Sequence, residues 1–502
     1  MAVLLSILSR HRYVFLSAAV MLLMLVHTSK RLWTADFWEH AAVVRELATN
    51  PVSPHHPQIL SDAPHAFYSP YTLVAGCISR VTGMNCFRTL VVLGVGNLIL
   101  LLISIWMFSV ALLKRREAAF YVLLFTLLLW GPTAWMYSGF FHLHVLGDVL
   151  PYPSTFAAAI ALLASAIYCK ALRTGNRLAL IPVALASLVV AITHPPTFIF
   201  FSACIFSLTL GIPSGRLPFR EYARLLACTL ILPLIVAMFW PYYPFFQLLA
   251  QDSSLYHANN RIMYSEVVQC IWPAFPGIPL IIWRFKSKKT DPVFLIAAIL
   301  SLIYAYGALS HHWTYGRVIS SIVLMLHMSI ADAVAQVEIS LRARLRSPSS
   351  LKLVFASLAA AVLLAFACRT TMRSLLVRCL RLRDVSEYDR YKFLSGATPQ
   401  YDVVLSDLET SWYVPAFAGK VVAVPRPLPF VPDSAARADD VQRFFSGSCL
   451  QAERETIIRK YNVKWLLLDK ENVPGWSAIA QSFQDGAEIT LSNDRFVLMR
   501  LR

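Results

Sequence analysis

Apolar runs, each near the roughly 20 residues needed to cross a hydrocarbon core, recur along most of this chain and constrain its fold more than any other feature. They extend about Tyr13 to Trp33, Val91 to Leu113, Ala118 to Trp135, Phe156 to Leu172, Leu178 to Ile192 and Phe198 to Leu210. Five more follow, about Leu225 to Trp240, Val267 to Trp283, Val293 to Leu309, Val318 to Ala335 and Leu351 to Ala367. With 57% of 502 residues hydrophobic and 15% charged, a soluble domain could not keep so much hydrocarbon from water. The sequence therefore predicts an all-α polytopic membrane domain over residues 1–368, with about eleven transmembrane helices.

The net charge of +17 would suggest nucleic acid as the partner of a soluble protein. Here the basic residues sit in short runs between apolar segments, where they orient helices, so the bilayer is the implied partner and no nucleic acid is. The first run follows Arg10 and Arg12 and lacks a small-residue cleavage site, which reads as an uncleaved span with a cytoplasmic N-terminus. The shorter apolar stretch Tyr71 to Val81 is ambiguous, and charge decides it. If it does not cross, Lys114-Arg115-Arg116, Lys170 with Arg173 and Arg177, Arg216 to Arg224, Lys286 to Lys289 and Arg342 to Arg346 all lie inside. It is therefore expected to lie in the interface, within a first external loop over residues 34–90 that carries juxtamembrane helices.

Beyond Arg369 the pattern changes. Tyr401 to Ser406, Lys420 to Val424, Val463 to Asp469 and Phe496 to Leu501 read as strands, and Ala435 to Phe445 and Gln451 to Tyr461 as helices. Residues 369–502 are thus expected to form a small α/β extracytoplasmic domain. Ser406, Asp407 and Glu409 follow a strand end, a place for a ligand or simply a solvated loop. The nine cysteines show no CxxC pairing, although Cys77 and Cys86 are placed to pair outside the membrane. No glycine loop that would cradle a phosphate occurs on the cytoplasmic side.

Polar residues suited to chemistry concentrate in the external segments. Asp36 and Glu39, in Ala35-Asp36-Phe37-Trp38-Glu39-His40, share a helix face directly after the first span. A carboxylate there can take a proton from a hydroxyl nucleophile; alternatively Asp36 caps the helix and Glu39 completes the capping pattern. The same loop carries His55, His56, His65 and Tyr68. In the next external loop an extended chain would put His142 and His144 on one side, where with Asp148 they would meet a phosphate or a divalent ion. The turn Ser310 to Arg317 groups His311, His312 and Tyr315 with Arg317, whose guanidinium offers a bidentate fork to a lipid phosphate. Arg261 is a weaker candidate for the same task.

This arrangement resembles the GT-C superfamily of membrane glycosyltransferases, of the bacterial, polyprenyl-phosphate-sugar-dependent type. The motifs that carry the resemblance are Asp36 with Glu39 after the first span, Phe67-Tyr68-Ser69-Pro70 before the interfacial stretch, and Thr410 to Gly419 with Ile457 to Asp469 in the C-terminal domain. The resemblance implies transfer of a sugar from a polyprenyl-phosphate carrier to a glycan, lipid or protein acceptor at the outer face, with inversion, in a bacterial inner membrane. It makes Asp36 the general base and Glu39 its orienting partner. Arg317 would stabilise the leaving phosphate with His311, His312 and Tyr315 nearby, and His142, His144 and Asp148 would line the opposite wall. No cofactor is required by the sequence. A divalent cation, magnesium or manganese, is open, but the second loop offers histidines where metal-dependent relatives carry acids. Two other readings remain: a secondary transporter, which would need ionisable residues near the midplane, and a polymerase or ligase using a lipid-linked oligosaccharide.

Overall fold

The computed structural model describes residues 2–212, 218–250, 258–344 and 386–502. The chain divides into two compact units, one of residues 1–30, 93–239 and 257–384 and one of residues 31–92, 240–256 and 385–502. The expected boundary at 368/369 and the last expected span, Leu351 to Ala367, lie outside the described residues.

The first unit is helical. Among the described residues five helices are long and apolar enough to cross a membrane: His11–Ser29, Cys86–Leu113 (whose first turns count with the other unit), Pro153–Thr174, Pro292–Leu309 and Trp313–Leu341. A sixth arises if Val267–Ala274 and Gly277–Ser287, bent by 59° at Pro276, count as one span. Of about eleven expected spans, five or six meet that length and composition among the described residues. Arg177–Thr193 and Pro195–Gly211 are apolar helices below that length. The run read as Ala118 to Trp135 is helical only over Arg116–Leu128, because Gly131-Pro132 cannot continue it. At Gly131 the backbone accepts no side chain, since a Cβ would stand 1.9 Å from the Gln269 carbonyl oxygen. The run Leu225 to Trp240 passes through a π-helical turn, Ala227–Ile231, ahead of Pro233.

The basic runs meet at one end of this unit. Asp332 accepts from Arg115 at 2.6 Å and from Arg284 at 2.8 Å, and Glu338 accepts from Arg12 at 2.8 Å. Lys288 donates to the Gly211 carbonyl and Arg173 to that of Ala111. Arg317 lies fifteen residues before Asp332 on the Trp313–Leu341 segment, hence about 22 Å along its axis from this cluster.

The second unit joins the first loop to the C-terminal residues. Its sheet has five strands, β1 Val403–Leu405, β2 Lys420–Val421, β3 Val463–Asp469, β4 Ala487–Ser492 and β5 Phe496–Leu501, in the order β2-β1-β3-β5-β4. β2, β1 and β3 are parallel, whereas β5 runs antiparallel to both β3 and β4. Helices Ser434–Phe444 and Gln451–Lys460 pack on this sheet through Val441, Phe444 and Ile457. The β2 edge is covered by the first loop, where Ile59 bridges Val421 and the Val421 N–H donates to Gln58 at 2.8 Å.

The loop itself contains two thirteen-residue helices, Phe37–Thr49 and Pro70–Thr82. The second contains the stretch Tyr71 to Val81, is too short to span, and starts on a Ser69/Thr72 capping box. The two pack closely because residue 76 is glycine; a Cβ there would come within 2.5 Å of Leu47. Cys77 and Cys86 are free thiols, so the pairing that the sequence allowed is not made.

Candidate active site

In the second unit the site is built around the start of the Phe37–Thr49 helix. Phe37 and Trp38 turn inward, Trp33 stacking on Phe37 at 4.4 Å and Trp38 meeting Tyr413 and Phe417 at 5.2 and 5.8 Å. This aromatic packing fixes the helix and leaves Asp36, at its N-cap position, with its side chain 31% exposed. Asp36 makes no side-chain capping bond, which rules out the capping role the sequence left open. Instead its Oδ1 accepts from Arg426 Nη1 at 2.5 Å. Arg426 lies over the Trp412 ring at 4.5 Å, and Trp412 Nε1 donates to the Ala35 carbonyl at 3.1 Å. Asp36 Oδ2 remains open to a further hydrogen bond among the described residues.

Glu39 does not complete a cap either. It is buried and 3.2 Å from His65 Nε2, and the His65 ring meets His56 at 4.8 Å. His40 stacks on Phe67 at 4.7 Å. Burial pulls its pKa down to about 4; the charges of Asp36 and Glu39 oppose this, and those of His65 and Arg426 add to it. His56 is buried, its Nδ1 accepting from the Gln58 and Ile59 N–H groups, and burial likewise holds its pKa well below the usual value. His55 pairs with Asp62 at 2.6 Å, and its carbonyl accepts from the Tyr68 hydroxyl.

A fully buried ion pair supports the same helix. Lys420 Nζ donates to Glu46 Oε2 at 2.8 Å and to the carbonyls of His56 and Pro57 at 2.8 and 3.1 Å. The two partners shift differently. Burial draws Lys420 down to about 8, more than Glu46 restores, whereas for Glu46 the burial cost is outweighed by Lys420, Asn50 and the His55 N–H, and its pKa is lowered. Asp407 spends Oδ1 on the N–H groups of Glu409 and Thr410, so after β1 its carboxylate caps the Leu408–Ser411 turn.

In the first unit Arg317 donates to Ser138 Oγ at 3.0 Å and to Asn260 Oδ1 at 3.3 Å, with Tyr137 beneath it at 5.7 Å. It borders a cleft whose lining includes Thr126, Trp130, His194 and His327. His311 and His312 are exposed and, with Tyr315, pack on Trp313 and Tyr306 rather than lining this cleft. Arg261 lies over the Trp313 ring at 5.7 Å.

The second-loop residues differ from the extended reading. Residues 143–149 form a short helix, with buried His142 at its N-cap position 2.9 Å from the Trp135 carbonyl. His144 meets His142 edge-on at 5.8 Å. Asp148 pairs with His27 of the first span at 3.4 Å. The peptide turns helical because Leu143, Val145, Leu146 and Val149 all find buried positions. Among the described residues no group of three His, Cys, Asp or Glu side chains is arranged to hold a metal ion.

Sequence reasoning missed Arg426, which no local pattern ties to Asp36. It also missed His327, an ionisable residue within a span, although that placement is itself a signal of function.

No family model and no curated protein matches this sequence. Solved structures do match its fold. ArnT from Cupriavidus metallidurans bound to undecaprenyl phosphate is 12% identical, with 98% of each chain covered and a TM-score of 0.57. The Archaeoglobus fulgidus oligosaccharyltransferase tethered with an acceptor peptide containing the NVT sequon is 12% identical over 92% of this chain and 70% of that one, with a TM-score of 0.55. The mycobacterial arabinofuranosyltransferase AftD is 15% identical over 98% of this chain and 40% of its own, with a TM-score of 0.55. This chain shares its overall fold with these three structures.

Proposed function

We propose that this protein is a membrane glycosyltransferase that moves a sugar from a polyprenyl-phosphate donor to a glycan, lipid or protein acceptor at the extracytoplasmic face, with inversion. The observation that carries this reading is the agreement in fold with undecaprenyl-phosphate-bound ArnT over 98% of both chains.

Asp36 is the proposed general base. Its Oδ1 is engaged by Arg426, so Oδ2 is the oxygen that takes the acceptor's proton. As that proton leaves, the acceptor oxygen bonds to the anomeric carbon, the bond from that carbon to the phosphate oxygen breaks, and the lipid phosphate departs with the electron pair. Glu39, held by His65, keeps the helix start in register rather than exchanging protons. Arg317 is the proposed ligand of the donor phosphate, where a fixed cation stabilises the charge that develops on the leaving group. His311, His312 and Tyr315 form an exposed aromatic collar beside it. His142, His144 and Asp148 support the second loop. The gathering of Arg12, Arg115, Arg173, Arg284 and Lys288 at one end of the membrane unit favours that end as cytoplasmic, in a bacterial inner membrane.

The test is transfer by the purified protein from a panel of polyprenyl-phosphate sugars. Asp36→Asn is expected to lower turnover by roughly 10²- to 10⁴-fold with unchanged membrane expression, and Arg317→Ala to weaken donor use. Full activity in Asp36→Asn removes the base; no transfer by folded wild type across donors and acceptors removes the function.

A further inference from the structure

Asp36 sits inside a turn that runs from Thr34 to Phe37 and is closed by the Phe37 N–H donating to the Thr34 carbonyl at 3.3 Å. Both flanks of the turn are fixed, because Trp33 stacks on Phe37 at 4.4 Å. Within it Asp36 has an ordinary right-handed backbone, φ −69° and ψ −6°, whereas Ala35 has φ 51°, in the left-handed region. The Cβ of alanine makes that region unfavourable, where glycine would enter it freely. A right-handed Ala35 would also close a four-residue turn, but would aim the Ala35 carbonyl and the Asp36 side chain elsewhere. A contact from outside the turn has to favour the left-handed form.

That contact is Trp412. Its Nε1 donates to the Ala35 carbonyl at 3.1 Å, and its ring lies 4.5 Å from the guanidinium of Arg426, which grips Asp36 Oδ1. One indole, 8% exposed, thus touches both the peptide that precedes the carboxylate and the arginine that holds it. Trp412 is itself placed by the segment after β1. Asp407 Oδ1 accepts from the Glu409 and Thr410 N–H groups at 3.1 and 3.0 Å, and the Trp412 N–H donates to the Glu409 carbonyl at 3.3 Å at the end of the Leu408–Ser411 turn. The segment that the sequence left as a ligand site or a solvated loop is therefore what presents the indole.

We propose that Trp412 is a positioning residue for sugar transfer: its Nε1–H locks Ala35 in the left-handed form while its ring steadies Arg426, and together they aim Asp36 Oδ2 at the acceptor hydroxyl. The assignment rests on Asp36 being the base. One hydrogen bond and the penalty for a left-handed alanine are of similar size, so removing the bond releases the turn.

The experiment uses the full chain in nanodiscs and two readouts. Hydrogen exchange of the Phe37 amide reports the turn without any substrate. Turnover, as kcat and donor KM, is read from release of undecaprenyl phosphate from its glucosyl, arabinosyl and glucosaminyl esters, with a membrane glycolipid extract as acceptor. Trp412→Phe keeps an aromatic ring for Arg426 and removes the indole N–H. It is expected to speed Phe37 exchange and to lower kcat, each roughly three- to ten-fold, with donor KM unchanged. Adding Ala35→Gly to Trp412→Phe removes the Cβ that opposes the left-handed form, so exchange and kcat should both return most of the way to wild type; lost packing alone would not be repaired by a glycine at residue 35. Unchanged exchange or unchanged kcat in Trp412→Phe, or no recovery in the double variant, overturns the positioning role. Loss of transfer in Asp36→Asn, assayed beside them, leaves the base reading standing in that case. Full transfer by Asp36→Asn, or none by wild type, overturns the base and the positioning role together.

Discussion

Arg426 Nη1 holds Asp36 Oδ1 at 2.5 Å, joining residues 390 positions apart in the sequence. The pair is partly exposed, with side chains 42% and 31% accessible, so its contribution to stability is small, about 1 kcal/mol or less. Its proposed role is to orient the base. Arg426→Ala is expected to leave the melting temperature almost unchanged and to lower kcat by roughly ten-fold, since a misplaced base loses catalytic power steeply. Arg426→Lys should fall between, because lysine keeps the charge but not the planar contact with Trp412. An unchanged kcat in Arg426→Ala would remove the orienting role.

Acid should loosen the second unit through His40. Its folded pKa is drawn from 6.5 to about 4 by burial, so between those pH values the unfolded chain binds a proton that the folded chain does not. Stability therefore falls as pH drops from about 6.5 to 4, by at most about 3 kcal/mol from this group. Melting temperatures of wild type and His40→Phe across that range should diverge, the variant losing less. Parallel curves would show that His40 does not control the acid limb.

Lys420 and Glu46, both almost inaccessible, form a pair that cannot lose one member cheaply. Lys420→Met strands a buried carboxylate and is expected to cost about 3–5 kcal/mol, with Glu46→Gln in the same chain restoring much of it. Chemical denaturation of the single and double variants measures this coupling. Equal destabilisation in both would mean that the pair is not energetically linked.

Asp332 receives both Arg115 and Arg284, and Arg284 also holds Asp291 at 2.9 Å. Asp332→Asn is expected to lower thermal stability more than Arg115→Ala, whose side chain is 38% exposed. The comparison is made by melting in detergent; the reverse order would argue that Asp332 is not the hub of this cluster.

What the sequence revealed depended on how local the signal was. The strand at 463–469 and the two C-terminal helices were legible because their apolar spacing is self-contained. β4 escaped because it lies at the sheet edge and exposes most of its residues, so it shows no clean alternation. The bounds of the apolar runs were less legible, because hydropathy does not register where Gly131-Pro132 ends a helix or Pro233 follows a π-turn. Asp36 stood out through its neighbours, but its partner did not, since no local pattern ties a carboxylate to an arginine 390 positions later. The extended reading of His142 and His144 failed where tertiary burial of the intervening apolar residues favoured a helical turn.

The covered β2 edge and the Lys420–Glu46 pair set an order of events during synthesis. Residues 31–92 leave the ribosome early, yet the lysine that neutralises Glu46 follows 374 positions later, and the strand that Ile59 joins arrives with it. The early segment must wait, incomplete, while the intervening spans enter the bilayer. A ribosome that stops short of β2 therefore leaves a chain in which Asp36 has neither its arginine nor the scaffold beneath its helix, and both arrive only with the last part of translation.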